Sequence, residues 1–372
     1  MNKICLCIGS KDFFGAERRY AKILRRILTW EEAPDIYLAV NSSLYLSSRD
    51  KNLPKSIFDD LDKKGRLIVL PESIRHVRLT KNLLKFISLF FSNAAFHCLL
   101  RADIVAYART ILSRRTILEL TSPDVAVRIA KKVPSFFINR ISTFACVSVT
   151  VEQKFLSEIK LRGVEGGKVR MHVWGTPYFD GAGCEVSKKK KMLVSACRFI
   201  RRKNVPLLAK SIAGVIDRLP EWEFFIFGQG EQQQEIVDAL EKWIERGRVH
   251  VGYSDNTLSA LAESSIYVSL IEPDNYPSQS ILEAMACGNA ILLSNTGVSS
   301  NFISDRNPNG ILVDLSEGSI SEAILRMCAD EKLLAEMQAS SAEYVRREYS
   351  PDVFIKEFLH LNKVSVTKQL MD

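Results

Sequence analysis

The sequence predicts an α/β protein built from two doubly wound parallel sheets, and three observations carry that prediction. Short, near-continuous apolar runs alternate with longer amphipathic stretches from end to end, the pattern of parallel strands covered on both faces by helices. The runs fall into two sets, parted by the Gly- and Pro-broken stretch "WGTPYFDGAGCEVSKKKK" with its solvated lysine run. A chain of 372 residues is a natural length for two domains, each able to bury its own core.

In the first half the runs "KICLCIGS", "DIYLAV", "RLIVL", "DIVAYA", "TILEL" and "FACVSV" read as strands, rich in β-branched and aromatic residues and bounded by polar breaks. In the second half "KMLVSAC", "EFFIFG", "VHVGY", "IYVSL", "AILLS" and "GILVDL" read the same way. Apolar residues at helical spacing mark "AERRYAKILRRIL", "VEQKFLSEIK", "NVPLLAKSIAGVIDRL", "EQQQEIVDALEKWIERG", "SILEAMACG" and "SISEAILRMCADEKLLAEMQASSAEYVRREY". One more helix is expected after Pro351. The boundaries read as a first domain over 1–178, a second over 186–350 and a terminal helix over 351–372 that packs back towards the first.

Composition narrows the class. Hydrophobic content of 47% and charged content of 25% are those of an ordinary soluble globular chain, without collagen-like, coiled-coil or disordered bias. The eight cysteines are scattered inside apolar runs with no Cys-x2-Cys pair, so they read as reduced, buried thiols of a cytoplasmic protein rather than a zinc site. "MNKICLCIGS" is too short and poorly flanked for a signal peptide. A formal charge of +8 points to an anionic partner. No acidic residue stands between Glu72 and Asp103, where Arg75, Arg78, Lys81, Lys85 and Arg101 punctuate an apolar stretch. Two readings stand there: a basic amphipathic helix on an anionic membrane, or a buried helix with one solvated charged face. No nucleic-acid module is present, and no nucleic-acid partner is expected.

Four segments carry chemistry. In "SACRFIRRK" two cations, Arg198 and Lys203, follow a strand end, placed to neutralise a diphosphate, although a solvated loop would look similar. "IFGQGE" sets Gly228 and Gly230 between a strand and a helix, and "FFGAERR" sets Gly15 before a helix; each is either a site for close backbone approach or a tight turn. In "EPDNYPSQSILEAMACG" a loop enters a helix carrying Glu283 among small apolar residues. Ser280 and Glu283 have capping-box spacing, while a helix N-terminus also suits an anionic ligand.

Together these segments resemble the retaining glycosyltransferases of family 4, also called group 1, which have the GT-B fold of two Rossmann-like domains. The resemblance is densest from Met192 to about Tyr349. It implies that Arg198 and Lys203 bind the donor diphosphate and that Glu283, the second Glu of the family's Glu-x7-Glu motif, holds the ribose hydroxyls. Asn275 stands where the first Glu should be, keeping hydrogen bonding without charge, unless Glu272 or Asp274 takes that place. Tyr276, Ser278, Gln279 and Ser280 fall in the donor loop, with Glu272, Gly15, Gly228 and Gly230 as further donor-side residues. Thr121 and Ser122 stand where the family often has a His, and are the acceptor-side candidates; neither can act as a neutral-pH base as His does.

The implied activity is transfer of a hexose from a UDP- or GDP-sugar to an acceptor hydroxyl, with retention and without metal or other cofactor. The acceptor-binding domain is the first and the nucleotide-sugar domain the second. A lipid-linked saccharide of bacterial surface polysaccharide assembly (O-antigen, capsule or lipopolysaccharide) is the expected acceptor, met at the cytoplasmic face of the inner membrane. A non-catalytic nucleotide-sugar-binding subunit and a GT-B sugar-nucleotide epimerase are the alternatives.

Overall fold

Two units make up the chain: Met1–Thr176 with Asp352–Asp372, and Pro177–Pro351. The computed structural model describes residues 3–11, 15–30, 33–50, 55–71, 80–99, 101–174, 188–274 and 278–363.

In the first unit the strands are β1 (Ile4–Ile8), β2 (Ile36–Asn41), β3 (Leu67–Leu70), β4 (Ala95–Leu99), β5 (Thr116–Leu120), β6 (Thr143–Cys146) and β7 (Met171–Val173). They form one sheet in the order β3-β2-β1-β4-β5-β6-β7, and its strand pairs are all parallel. The helices are α1 (Gly15–Leu28), α2 (Ser42–Asp50), α3 (Lys55–Lys63), α4 (Lys81–Phe91), α5 (Asp103–Ile111), α6 (Pro123–Lys132), α7 (Ser135–Ile138) and α8 (Val149–Lys160). Alternation along β1 shows how the sheet is buried: Ile4, Leu6 and Ile8 enter one core, Cys5 and Cys7 the other.

The second unit holds β8 (Lys190–Ala196), α9 (Val205–Ala213), β9 (Glu223–Phe227), α10 (Gln233–Glu245), β10 (Val249–Gly252), α11 (Thr257–Glu263), β11 (Ser264–Ser269), α12 (Gln279–Ala286), β12 (Ala290–Ser294), β13 (Gly310–Val313), α13 (Glu317–Ala329) and α14 (Glu331–Tyr349). Its sheet runs β10-β9-β8-β11-β12-β13, again parallel throughout. The last helix, α15 (Pro351–Leu361), lays Phe354, Ile355, Phe358 and Leu359 against Tyr20, Ile23, Leu24 and Ile27 of α1 in the first unit's core. The expected pair of parallel-sheet domains is therefore present.

Several local readings change. "DIVAYA" is not a strand but the body of α5, and the strand lies upstream at Ala95–Leu99. The deciding spacing is that of Ala102, Ala106, Arg109 and Thr110, buried at helical intervals. The stretch 204–219 ends its α-helix at Ala213, and 319–349 is split by Asp330, which caps α14 by accepting from Leu333 N at 2.9 Å. Short β7 was missed, as were α2, α3, α6, α7 and α11. Cys5, Cys7, Cys98, Cys146, Cys197 and Cys328 are free, but Cys287 is disulfide-bonded, which corrects the reading of all eight as reduced.

Candidate functional site

In an open parallel sheet ligands bind beyond the carboxyl ends of the strands, where the winding direction reverses. In the second unit that point lies between β8 and β11. Arg198 follows the end of β8 and is exposed, while buried Phe199 anchors the turn behind it. A single 3-10 turn, Arg201–Lys203, then leads to Asn204, a non-glycine residue in the left-handed region (φ 51). Asn204 Nδ2 donates to Leu270 O at 2.9 Å, and Glu272 N donates to Arg202 O at 3.0 Å. These two bonds fasten the cationic turn to the loop after β11. Lys203 is half-buried; burial, reinforced by the positive fields of Arg202 and Arg198, lowers its pKa to about 8 despite an opposing effect of Cys197.

Gly228 and Gly230 (φ 152 and 158) follow β9. A Cβ on Gly228 would overlap the Cys197 carbonyl and stand 2.8 Å from the Phe199 ring; on Gly230 it would stand 2.5 Å from Phe199 O. Phe199 N donates to Gln229 O at 3.0 Å and Gln232 N to Phe199 O at 3.2 Å. Both glycines therefore serve packing, because they let the β9 turn lie directly against the turn carrying Arg198.

The third wall is the β11–α12 connection. Ser294 Oγ and Thr296 Oγ1 both donate to Ile271 O, at 2.7 and 2.6 Å, and Asp274 Oδ1 accepts from Val298 N at 3.4 Å. Glu272 is exposed, and Asn275 and Tyr276 lie outside the described residues. Ser278 is the N-cap of α12, in extended conformation and without a side-chain cap bond; its Oγ meets Ser280 Oγ at 3.2 Å. Ser280 is thus inside the helix and Glu283 in its second turn, so the capping-box reading fails by register. Gln279 Nε2 is buried without a partner among the described residues. Glu283 is half-buried beside Tyr267, whose hydroxyl donates to Ala196 O at 3.3 Å and whose pKa is raised, first by burial. Sequence reasoning missed Tyr267, Asn204, Ser294 and Thr296. Asn204 alone carried a signal, an Asn just before Val-Pro at a helix start.

The arrangement can do two things chemically. Arg198, Lys203, the unpaired Gln279 amide and the first-turn N–H groups of α12 suit an anion. Glu283, one turn further in, is a carboxylate that can accept from hydroxyl groups. Gly15, Thr121 and Ser122 belong to the first unit: Gly15 opens α1, Thr121 is half-buried after β5, and Ser122 Oγ accepts from Val125 N at 3.3 Å as the cap of α6. Among the described residues no group of three or more His, Cys, Asp or Glu stands together as a metal site, and no helix is long and apolar enough to cross a membrane.

Comparison with known proteins bears on this geometry. No curated protein matches the sequence. Residues 184–345 match the family of glycosyl transferases group 1. Among solved structures, a glycosyltransferase of Rickettsia africae ESF-5 is similar over 100% of this chain and 99% of its own, at 15% identity and a TM-score of 0.67. TarM of S. aureus, solved with alpha-GlcNAc-glycerol and UDP, is similar over 97% and 100%, at 13% identity and a TM-score of 0.65. HepE of Anabaena, solved with UDP, is similar over 97% and 99%, at 14% identity and a TM-score of 0.65. At such identities the structural likeness speaks for the fold. Residues 184–345 of the second unit thus match the group 1 glycosyltransferase model, and the chain has the GT-B fold.

Proposed function

We propose that the protein is a retaining, family 4-type hexosyltransferase that takes a UDP-sugar and glycosylates a hydroxyl of a lipid-linked saccharide. The observation that carries the reading is that the turn of Arg198 and Lys203 is hydrogen-bonded to the loop after β11, through Asn204 to Leu270 O and from Glu272 N to Arg202 O, at the switch point and within the segment that matches group 1. UDP bound to TarM and to HepE supports a uridine donor.

Arg198 and Lys203 receive the diphosphate, with the α12 amides as further donors, and Glu283 accepts from the ribose hydroxyls. Gly228 and Gly230 hold the cationic turn in place. The role towards the transferred sugar is assigned to Asn275, or to Glu272 in its place. In the reaction the bond from the anomeric carbon to the diphosphate oxygen breaks as the acceptor oxygen bonds to that carbon on the same face. The acceptor proton passes to the departing diphosphate. Cations in a partly desolvated turn stabilise the charge that develops there, and no metal or other cofactor is called on. Gly15 serves the donor phosphates from the first unit, and Thr121 and Ser122 stand on the acceptor side. The membrane part of the reading, at the cytoplasmic face of the inner membrane, rests on the outward face of α4, described below.

A panel of UDP-, GDP- and ADP-sugars with lipid-linked acceptors, run with and without excess EDTA, tests this. Transfer with retained anomeric configuration, indifferent to EDTA, is expected. Arg198→Ala and Lys203→Ala should each weaken UDP binding by about 1.5–3 kcal/mol, the scale of charge-assisted hydrogen bonds. Epimerised donor without transfer, or tight UDP binding with no turnover of any donor, would replace the reading by an epimerase or a binding subunit.

A further inference from the structure

The first unit has its own switch point, between β1 and β4, and a cavity of about 560 Å³ opens there. Its volume is that of a small-molecule pocket. Lys11 lines it after β1, Asn41 at the end of β2, Leu70 at the end of β3, Phe86 from α4, and Arg101 and Val105 from the β4–α5 connection. Thr121 and Ser122 do not line it. Among the described residues no acidic side chain lines it either, and beyond Lys11, Asn41 and Arg101 its side chains are apolar. The floor is braced: Asn41 Nδ2 donates to Gly9 O and Ser10 O at 3.3 and 2.6 Å, while its Oδ1 accepts from Leu44 N at 2.7 Å.

Arg101 is the telling residue. Its φ of 74 lies in the left-handed region, which a residue with a Cβ avoids and a glycine enters freely. Such a conformation, kept by a bulky side chain at a strand end, marks a position where the side chain matters more than local ease. Arg101 makes no hydrogen bond or ion pair among the described residues. The nearest acid in sequence, Asp103, pairs instead with Arg128 at 3.4 Å. Phe86 belongs to the helix whose outer face exposes Leu84 and Phe91, at 50% and 60%. Among the described residues, two cations and no acid thus line a cavity with apolar walls, next to an apolar surface.

We propose that this cavity is the acceptor's anchor and takes a phosphate or diphosphate joined to an apolar chain. Lys11 and Arg101 hold the anion, and Leu70, Phe86 and Val105 hold the first carbons of the chain. The proposal rests on the lipid-linked acceptor of the reading above and gives it a site.

Titration of the full chain with decyl phosphate below its micelle concentration, with 1-decanol and with inorganic phosphate, tests it. Decyl phosphate should bind at least about tenfold more tightly than either, because only it uses both the cations and the walls. Lys11→Gln and Arg101→Gly should each weaken it several-fold, while UDP affinity stays at wild type. Arg101→Gly should also melt no lower than wild type, since it relieves the backbone. Equal binding of decanol would leave an apolar pocket only, and equal binding of inorganic phosphate a free-anion site; either overturns the proposal. Undiminished decyl phosphate binding in the double variant overturns it too. Loss of UDP binding by the wild type would sink the donor reading alone.

Discussion

Lys203 combines two properties that rarely suit a surface lysine: it is half-buried and it shares its turn with Arg198, Arg201 and Arg202. Burial first, and then its cationic neighbours, lower its pKa to about 8, so the free protein at pH 9 holds it largely neutral. A diphosphate reverses the balance by favouring the charged form. UDP affinity should therefore fall as pH rises from 7 to 9.5, by about tenfold or more if the ammonium is required, because binding must then take up a proton. Lys203→Arg keeps its charge throughout and should flatten the profile. Parallel profiles for the two proteins by calorimetry would remove Lys203 from the diphosphate. The folded state has the opposite sign: a lowered lysine pKa makes the protein more stable as pH rises through 8 towards 10.5. Loss of UDP binding at high pH is thus separable from unfolding.

At the scale of elements, α4 shows what the sequence could and could not reveal. The acid-free stretch from 73 to 102 announced a helix with basic residues, and Lys81–Phe91 is one. Its orientation was not legible. Lys85 turns towards the sheet, its Nζ 5.4 Å from the Tyr37 ring, and the outward face is Leu84, Ile87 and Phe91 with Lys81 at one end. Buried Arg109 fixes that pose by donating to the carbonyls of Phe90, Ser92 and Ala94 at the helix end, an arrangement that spans two elements and leaves no trace in local pattern. The same limit explains α5: its apolar run fits strand or helix, and only docking on β4 and β5 decides. The Arg198 and Lys203 turn was legible because strand, turn and helix are contiguous. The cavity beside Arg101 was not, since it is assembled from four strand ends. For α4, Leu84→Glu with Phe91→Glu should reduce flotation on anionic vesicles several-fold and leave the melting temperature nearly unchanged, because both side chains already face solvent. Lys85→Gln should matter less. Equal flotation of wild type and double variant would take the membrane away from this helix.

At the scale of the whole chain, α1 and the end of α15 meet β4 and β5 in one buried polar cluster. Glu119 of β5 accepts from Arg19 and, at 2.6 Å, from Tyr20 OH, both on α1. His97 of β4 lies 3.2 Å from Tyr20 OH and stacks on Trp174, which stacks in turn on Phe354 of α15. Asn362, just past α15, meets His97 Nδ1 at 3.3 Å. Glu119, His97, Arg19 and Tyr20 are all under 5% exposed, so water replaces none of these bonds. Burial alone would raise the Glu119 pKa, yet the Arg19 charge, with His97 and Tyr20, holds it at about 2. Burial lowers that of His97 in spite of Glu119. Both shifts mean that the unfolded chain takes up protons that the folded one refuses. Stability should thus decline as pH falls below the ordinary histidine value of 6.5, and decline further from 4.5 towards 2. Glu119→Gln leaves Arg19 buried without a counter-charge and should cost about 3–5 kcal/mol at pH 7, while abolishing the lower part of the decline. His97→Gln should flatten only the upper part. Thermal melts of the three proteins from pH 7.5 to 3.5 read both effects. Superimposable slopes, or a Glu119→Gln protein as stable as wild type at pH 7, would mean that the return of the chain end onto the first unit is held by its apolar contacts alone.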